Sequence, residues 1–475
     1  MTLTKTAAVC FLAASSCAAA PIAGLKDALQ IAADQTSAQF KCAINIAFKD
    51  ADNMVGVASG SSGADNRTAL VDDPFVWGSV TKCLTGSSML KLVEEGVVSL
   101  DDPIGMHIDP FLKKLAQNPA DAKFMNYSSV EELWGPDVST QSIRMLGKMM
   151  AGIPDFDTAT ERSGGAVDPF RATLYAEPSH AFGPPEILSL PWVYTKQVNL
   201  HPSSHAYSST NFMLFGLILA AKAGVASWSD FDQLSPLPPA FARSLRGIMF
   251  ASKPACPRDL TNITGYDRTA YNGHDPSAFP GTDVSRVDGV FSGWSASDLV
   301  GPDGAVAELV HGIYGSYRVA SAASVENIMV PKANESFYGF GTFNLSRRTG
   351  VGLPVGAAYG HLGATYGFQS IVAHFPHYNF TLTVASNIET DDQSQPAAGL
   401  CRAFNMARAL VEGRPVPNCT YVDGGYYSGG CKCSDMPTPP PSPAPAPEQY
   451  SCLFKRCIPN KHGTQSKDDC DSSCK

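Results

Sequence analysis

Apolar residues from Gly24 to Gln39 recur at helical spacing, and then the rhythm changes. From Lys41 to Gly60 (KCAINIAFKDADNMVGVASG) apolar and polar positions alternate, which predicts two strands joined by a turn at Asp50-Ala51-Asp52. The extended stretch Phe75-Val76-Trp77-Gly78 leads into a long helical pattern. Residues 105–300 are mixed, with many Pro and Gly and several helical segments. Their longest apolar run, Phe212 to Ala221 (FMLFGLILAA), is about half of a membrane span. β-Branched and aromatic residues return at Tyr338–Ser346, Val372–Phe375 and Asn379–Ser386, and a helix is predicted from Gln395 to Gly413. A helix and two strands, a large mainly helical insertion, then more strands: this order predicts an α+β fold, an antiparallel sheet flanked by helices.

Composition adds a compartment. With 44% hydrophobic and 17% charged residues in a chain of 475, a sizeable core can be buried. A net charge of -9 argues against nucleic acid or an anionic membrane as the main partner. Lys5, the apolar Ala7 to Ala14 and the small-residue run Ser15 to Ala20 predict a secretory signal peptide over residues 1–20. Asn-X-Ser/Thr sequons stand at Asn66, Asn126, Asn262, Asn334, Asn344, Asn379 and Asn418, where chance gives roughly two or three. Cys401, Cys419, Cys431, Cys433, Cys452, Cys457, Cys470 and Cys474 crowd the C-terminal end, a density that reads as disulfides in an oxidising compartment. Signal, sequons and cysteines together predict a secreted protein without a membrane span.

The same reading divides the chain. Residues 24–413 form the main domain, and 414–449 a linker, first Cys-containing and then Pro-rich (MPTPPPSPAPAP). Residues 450–475 form a small tail whose C-x4-C-x12-C-x3-C spacing predicts two disulfides in preference to zinc. That tail is either a stapled end or an appendage for a surface or glycan.

Chemistry concentrates near residue 80. Ser79 and Lys82 stand at i and i+3 of a helical pattern, so hydroxyl and amine share a face. An amine kept neutral by burial can take the proton of a hydroxyl that is otherwise a poor nucleophile. Ser88 and Lys91 repeat the spacing, but at about 100° per residue they fall on the opposite face of the helix. Only one pair can look into a cleft.

The text around Ser79 (GSVTKCLTGSSMLKLVEEGVVSLDDPI) resembles the nucleophile helix of the class C β-lactamase family, which also holds D-alanyl-D-alanine carboxypeptidases, D-aminopeptidases and carboxylesterases. Further stretches follow in the family's order. Residues 207–216 (YSSTNFMLFG) resemble its YSNTNYxLLG motif, with Tyr207 at the position of the proton-transferring Tyr and Ser209 where Asn is usual. Residues 359–370 (YGHLGATYGFQS) resemble its GHxGGTxGFxS strand, with His361 at the cationic position and Gly363 admitting substrate. The resemblance implies that the N–H of Ala364 joins that of Ser79 in an oxyanion hole. Ser142–Phe156 (SIRMLGKMMAGIPDF) resembles TIRxLLxHTSGIPDY, with Met149-Met150-Ala151 replacing His-Thr-Ser and predicting a more apolar cleft edge. Asp298, in GVFSGWSASDL, resembles a structural residue of the family.

The resemblance implies a β-lactamase/transpeptidase-like sandwich and a serine hydrolase forming an acyl-enzyme on Ser79. Lys82 and Tyr207 share the proton work and His361 assists. The expected substrate is a small-molecule ester or amide, and no metal or organic cofactor is needed. A non-catalytic binding protein on the same fold and an acyltransferase remain open as alternatives.

Overall fold

The computed structural model describes residues 22–434, except 64–65, 158–159, 163–164, 197, 199, 201–205, 252–256, 272–274, 276, 278, 333–336 and 423–429. It also describes the backbone of 450–453 and 456–459. The expected signal at 1–20, the Pro-rich run 435–449, Cys470, Cys474 and the sequon at Asn334 lie outside the described residues.

The centre is one six-stranded antiparallel sheet. Its strands are β1 (Ile44–Lys49), β2 (Met54–Ser59), β3 (Phe343–Asn344), β4 (Tyr359–Thr365), β5 (Phe368–Phe375) and β6 (Phe380–Ser386), in the spatial order β3-β4-β5-β6-β1-β2. The β1–β2 hairpin turns where the alternating pattern predicts, with Asp50 Oδ1 accepting from the N–H groups of Asp52 and Asn53. Register puts Ile46 between Val57 and Val384, and Ala47 between Gly56 and Thr383. Successive residues of a strand face opposite sides, and here both sides are covered. A Cβ on Gly399 of the helix Ser394–Val411 would lie 2.8 Å from Val384, so that helix covers the Val384 face together with Leu25–Phe40. Thr383, pointing the other way, donates to the carbonyl of Asp303 at the start of the helix Asp303–Tyr314. Every residue of β5 and β6 is therefore buried.

Between β2 and β3 lies the mainly helical insertion. Its heart is the helix Thr210–Lys222, buried from Thr210 to Ala220 on every side. A helix apolar all round belongs in a core, and this one packs against the helix Thr81–Glu94. No described helix is long and apolar enough to cross a membrane. The fold is the α+β arrangement expected from element order.

Two details differ from expectation. Asn379 sits not in a strand but, exposed and at φ 52°, in the turn between β5 and β6. The first part of the expected linker is an antiparallel hairpin, Asn418–Val422 with Gly430–Ser434, and not an unpacked spacer. Disulfides Cys401–Cys431 and Cys419–Cys433 staple it, the first to the helix Ser394–Val411. Arg402 of that helix donates to the Cys419 carbonyl and to Thr36 of the N-terminal helix. Sequence alone cannot see this docking, because the partner cysteine lies thirty residues earlier on a helix face. In the tail, Cys452 and Cys457 stand opposite each other in a short antiparallel pair.

Replacing Cys401 by Ser opens a loop spanning a sequence separation of 30, which is expected to remove about 2–4 kcal/mol of stability. Urea unfolding of the variant and parent checks this, and an unchanged midpoint with an unchanged slope rules the staple unimportant.

Candidate active site

The short strand Phe75–Val76 runs into Trp77, Gly78 and Ser79, and the helix begins at Thr81. Trp77 is fixed twice, by its N–H on the Leu299 carbonyl and its indole N–H on that of Gly301. Gly78 takes φ 54°, a left-handed conformation that glycine adopts without penalty, and a Cβ there would meet the Ala364 carbonyl oxygen at 2.6 Å. Ser79 is thus presented at a sharp turn, 8% exposed, pressed against β4.

Lys82 is fully buried. Its Nζ donates to Ser79 Oγ at 2.8 Å, Ser209 Oγ at 3.1 Å and the Ala296 carbonyl at 3.0 Å. Burial lowers its pKa to about 8, and the carboxyls of Asp157 and Asp155 pull the other way. Tyr207 donates its hydroxyl to the same Ser79 Oγ at 2.8 Å, and its ring lies 5.0 Å from Nζ. The second Ser-Lys spacing does not converge: Lys91 Nζ turns away to the Pro236 carbonyl. Ser79, Lys82, Tyr207 and Ser209, scattered over 130 positions of sequence, meet within hydrogen-bond reach.

His361, at the family's cationic position, is not a cation here. It is fully buried behind Tyr207, in a box of Tyr338 and Phe343. Nδ1 pairs with the Leu362 carbonyl at 2.5 Å and Nε2 with the Tyr338 hydroxyl at 3.1 Å. Burial, and then the nearby Lys82, push its pKa down to about 3, so the ring is neutral and does not reach the cleft surface. Gly363 also serves a different need from the expected one. A Cβ there would lie 2.0 Å from the Trp77 carbonyl oxygen and 2.2 Å from Ser370 Oγ, so the protein's own backbone requires it. β3 meets β4 at Tyr359 and Gly360, leaving the edge of β4 around Ala364 without a neighbouring strand among the described residues.

That edge and Ser79 border a cleft of about 360 Å³. Phe156, Phe170, Phe337, Phe343 and Leu362 supply its apolar wall. Met149 and Ala151, expected at the cleft edge, are buried instead: Met149 Sδ accepts from the Ser208 N–H beneath the Tyr207 turn. Asp157, Asp168, Glu389 and Asp391 add acidic groups to the lining. Arg171, the one Lys or Arg among the described lining residues, is already clamped by Asp168 at 3.2 Å, Asp267 at 2.5 Å and Glu389 at 2.8 Å. Asp298 is structural, as expected: its buried carboxylate accepts from Gln233, and burial pushes its pKa up to about 8.

Sequence reasoning missed Asp155 and Asp157. Asp155 Oδ1 accepts from the Ser209 N–H at 2.8 Å, and Asp157 lines the cleft with Ser209, its pKa held well above the usual carboxylate value by burial and by Asp155. The only local signal was two acids one residue apart after Pro154, which in extended chain share a side.

Residues 45–239, which hold Ser79, Lys82, Tyr207 and Ser209, match the Beta-lactamase family model. Over that stretch the chain is similar to the Beta-lactamase family. Solved structures agree on the fold. D-amino acid amidase from Ochrobactrum anthropi SV3, complexed with D-phenylalanine, matches with TM-score 0.61 and 17% identity over 82% of this chain and 99% of that one. D-stereospecific amidohydrolase from Streptomyces sp. matches with TM-score 0.57 and 17% identity over 82% and 99%. The octameric penicillin-binding protein homologue from Pyrococcus abyssi matches with TM-score 0.54 and 19% identity over 80% and 76%. Among curated protein sequences there is no match.

Gly363→Ala is expected to force β4 away from Trp77, costing at least about 1–3 kcal/mol as an overpacked site and disturbing the Ser79 turn. Thermal melting of the variant checks it; a melting temperature equal to the parent's contradicts the packing argument.

Proposed function

We propose that the protein is a secreted serine hydrolase that cleaves a small ester or amide through an acyl-enzyme on Ser79. One observation carries this reading: Ser79 Oγ at the cleft meets Lys82 Nζ and the Tyr207 hydroxyl, each at 2.8 Å. A lysine with a pKa near 8 is partly neutral at physiological pH, so it can accept a proton where an ordinary lysine cannot. Ser79 Oγ attacks the carbonyl carbon as its proton passes to Lys82, and the N–H groups of Ser79 and Ala364 hold the oxyanion. Each such donor is typically worth about 3–4 kcal/mol to the transition state. Tyr207 delivers a proton to the leaving group, and the neutral His361 acts as a positioning residue that fixes Tyr338 behind the Tyr207 ring. Residues 24–413 form the catalytic domain. The exposed sequons at Asn66, Asn126, Asn262, Asn379 and Asn418 and the two disulfides support secretion and glycosylation. Transfer to an alcohol instead of water uses the same acyl-enzyme.

The cleft favours neutral substrates with an apolar group. Phe156, Phe170, Phe337, Phe343 and Leu362 line it along with Ser79, while an anionic substrate meets surplus carboxylates and an arginine already engaged. A carboxylate-bearing β-lactam therefore finds no free charge-assisted partner among the described lining residues, a loss of about 1.5–3 kcal/mol.

Ser79→Ala is expected to abolish turnover of p-nitrophenyl esters and labelling by a fluorophosphonate probe without unfolding the protein, whereas Ser88→Ala leaves both intact. Retention of most ester hydrolysis by Ser79→Ala overturns the nucleophile assignment, and a folded parent that neither labels nor turns over any ester supports a binding protein.

Specificity constants for a p-nitrophenyl butyrate ester and a chromogenic cephalosporin are expected to favour the ester by tenfold or more, about 1.4 kcal/mol. Ser209→Asn, which adds an amide donor and acceptor, narrows that ratio. A parent that prefers the cephalosporin contradicts the reading of the cleft.

A further inference from the structure

The apolar wall of the cleft is not uniform. Phe156, Phe170, Phe343 and Leu362 are each at most 5% exposed, whereas Phe337 is 42% exposed. Phe337 is thus the wall residue with apolar area that a bound group can still remove from water. Its ring lies 5.5 Å from that of Phe343 at an interplanar angle of 18°, and Phe343 lies 6.2 Å from Tyr207 at 8°. Both spacings fall in the range of offset stacking, so three nearly parallel rings form one column. Tyr207, at its inner end, donates its hydroxyl to Ser79 Oγ.

The column is held from several sides. Tyr338 and His361 meet the Phe343 ring edge-on, with centroids at 4.6 and 4.7 Å. The Phe337 carbonyl accepts from the Asn344 N–H of β3 at 2.8 Å, which ties the exposed ring's backbone to the sheet. A platform fixed in this way loses little freedom when a group settles on it.

Resting on the hydrolase reading above, we propose that this column is the leaving-group subsite, and that the substrate is an ester or amide of an aryl-bearing alcohol or amine. The direction follows from the proton that Tyr207 delivers. The half of the substrate that receives it departs on the Tyr207 side, where Phe343 and Phe337 continue the cleft wall. An alkyl group there gains only buried area. A flat ring laid on Phe337 adds one more offset stack, and such aromatic pairs contribute beyond the area they bury. The subsite binds and orients the leaving half and adds no step to the reaction.

Phenethyl acetate and cyclohexylethyl acetate share acyl group and chain and differ in whether the ring is flat and aromatic. Acid release in a pH-stat gives kcat/KM for each, and the parent is expected to favour the phenethyl ester by about two- to tenfold. Phe337→Leu, which keeps an apolar side chain without a ring, brings that ratio down to about one, and Phe337→Tyr keeps it. A parent that hydrolyses p-nitrophenyl butyrate but shows no preference for the phenethyl ester overturns the subsite. So does a Phe337→Leu variant with the parent's ratio; should that variant not fold, the parent's ratio alone decides. A Phe337-dependent preference for ethyl phenylpropanoate over ethyl cyclohexylpropanoate, absent from the acetates, overturns the assignment to the leaving group. A parent without turnover of any ester, or an active Ser79→Ala, would instead sink the hydrolase reading itself.

Discussion

The structure depends on one close approach: the turn at Trp77-Gly78-Ser79 lies directly on strand β4. A Cβ on Gly78 would strike the Ala364 carbonyl, and a Cβ on Gly363 would strike that of Trp77. Two glycines therefore let two backbones touch where any other residue would hold them apart. Ser370 Oγ, donating to the Trp77 carbonyl at 2.9 Å, ties the contact to the sheet, and Leu299 and Gly301 hold Trp77 from the other side. Through this contact the sheet and the helical insertion agree on where Ser79 stands. The rigidity of the doubly covered sheet is passed to a single hydroxyl.

Electrostatics follow from the same packing. Burying Lys82 beneath this turn disfavours its charge, and the nearby carboxyls restore part of it, leaving a group poised near pH 8. His361 is buried with no opposing carboxylate among the causes of its shift, and it is driven fully neutral. Two bases in one interior thus end in different states, because only one of them has acids beside it. The acids lie on the loop that also supplies Phe156, so the apolar wall and the proton chemistry of the cleft are built by one segment.

The sequence by itself determined the α+β order, the β1–β2 hairpin with its Asp50 turn, the long helices and the Ser79–Lys82 pair. All of these rest on local periodicity or on spacing along one helix. It also told the pair from its decoy, since opposite faces of a helix cannot share a cleft. The motif resemblance pointed to Tyr207 and Ser209, which no local rule connects to Ser79. Tertiary structure alone decided three matters. Whether His361 carries charge depends on burial, and burial depends on Tyr338 and Phe343 coming from another strand region. Whether Met149 edges the cleft depends on the path of its loop, which turns Met149 under Ser208 and Phe156 outward. Asp157 bears on Lys82 only because folding brings its carboxyl near an amine seventy-five positions away in the chain. Periodicity reports which side of its own element a residue takes, but a pKa and a hydrogen-bond partner are set by what other elements place there.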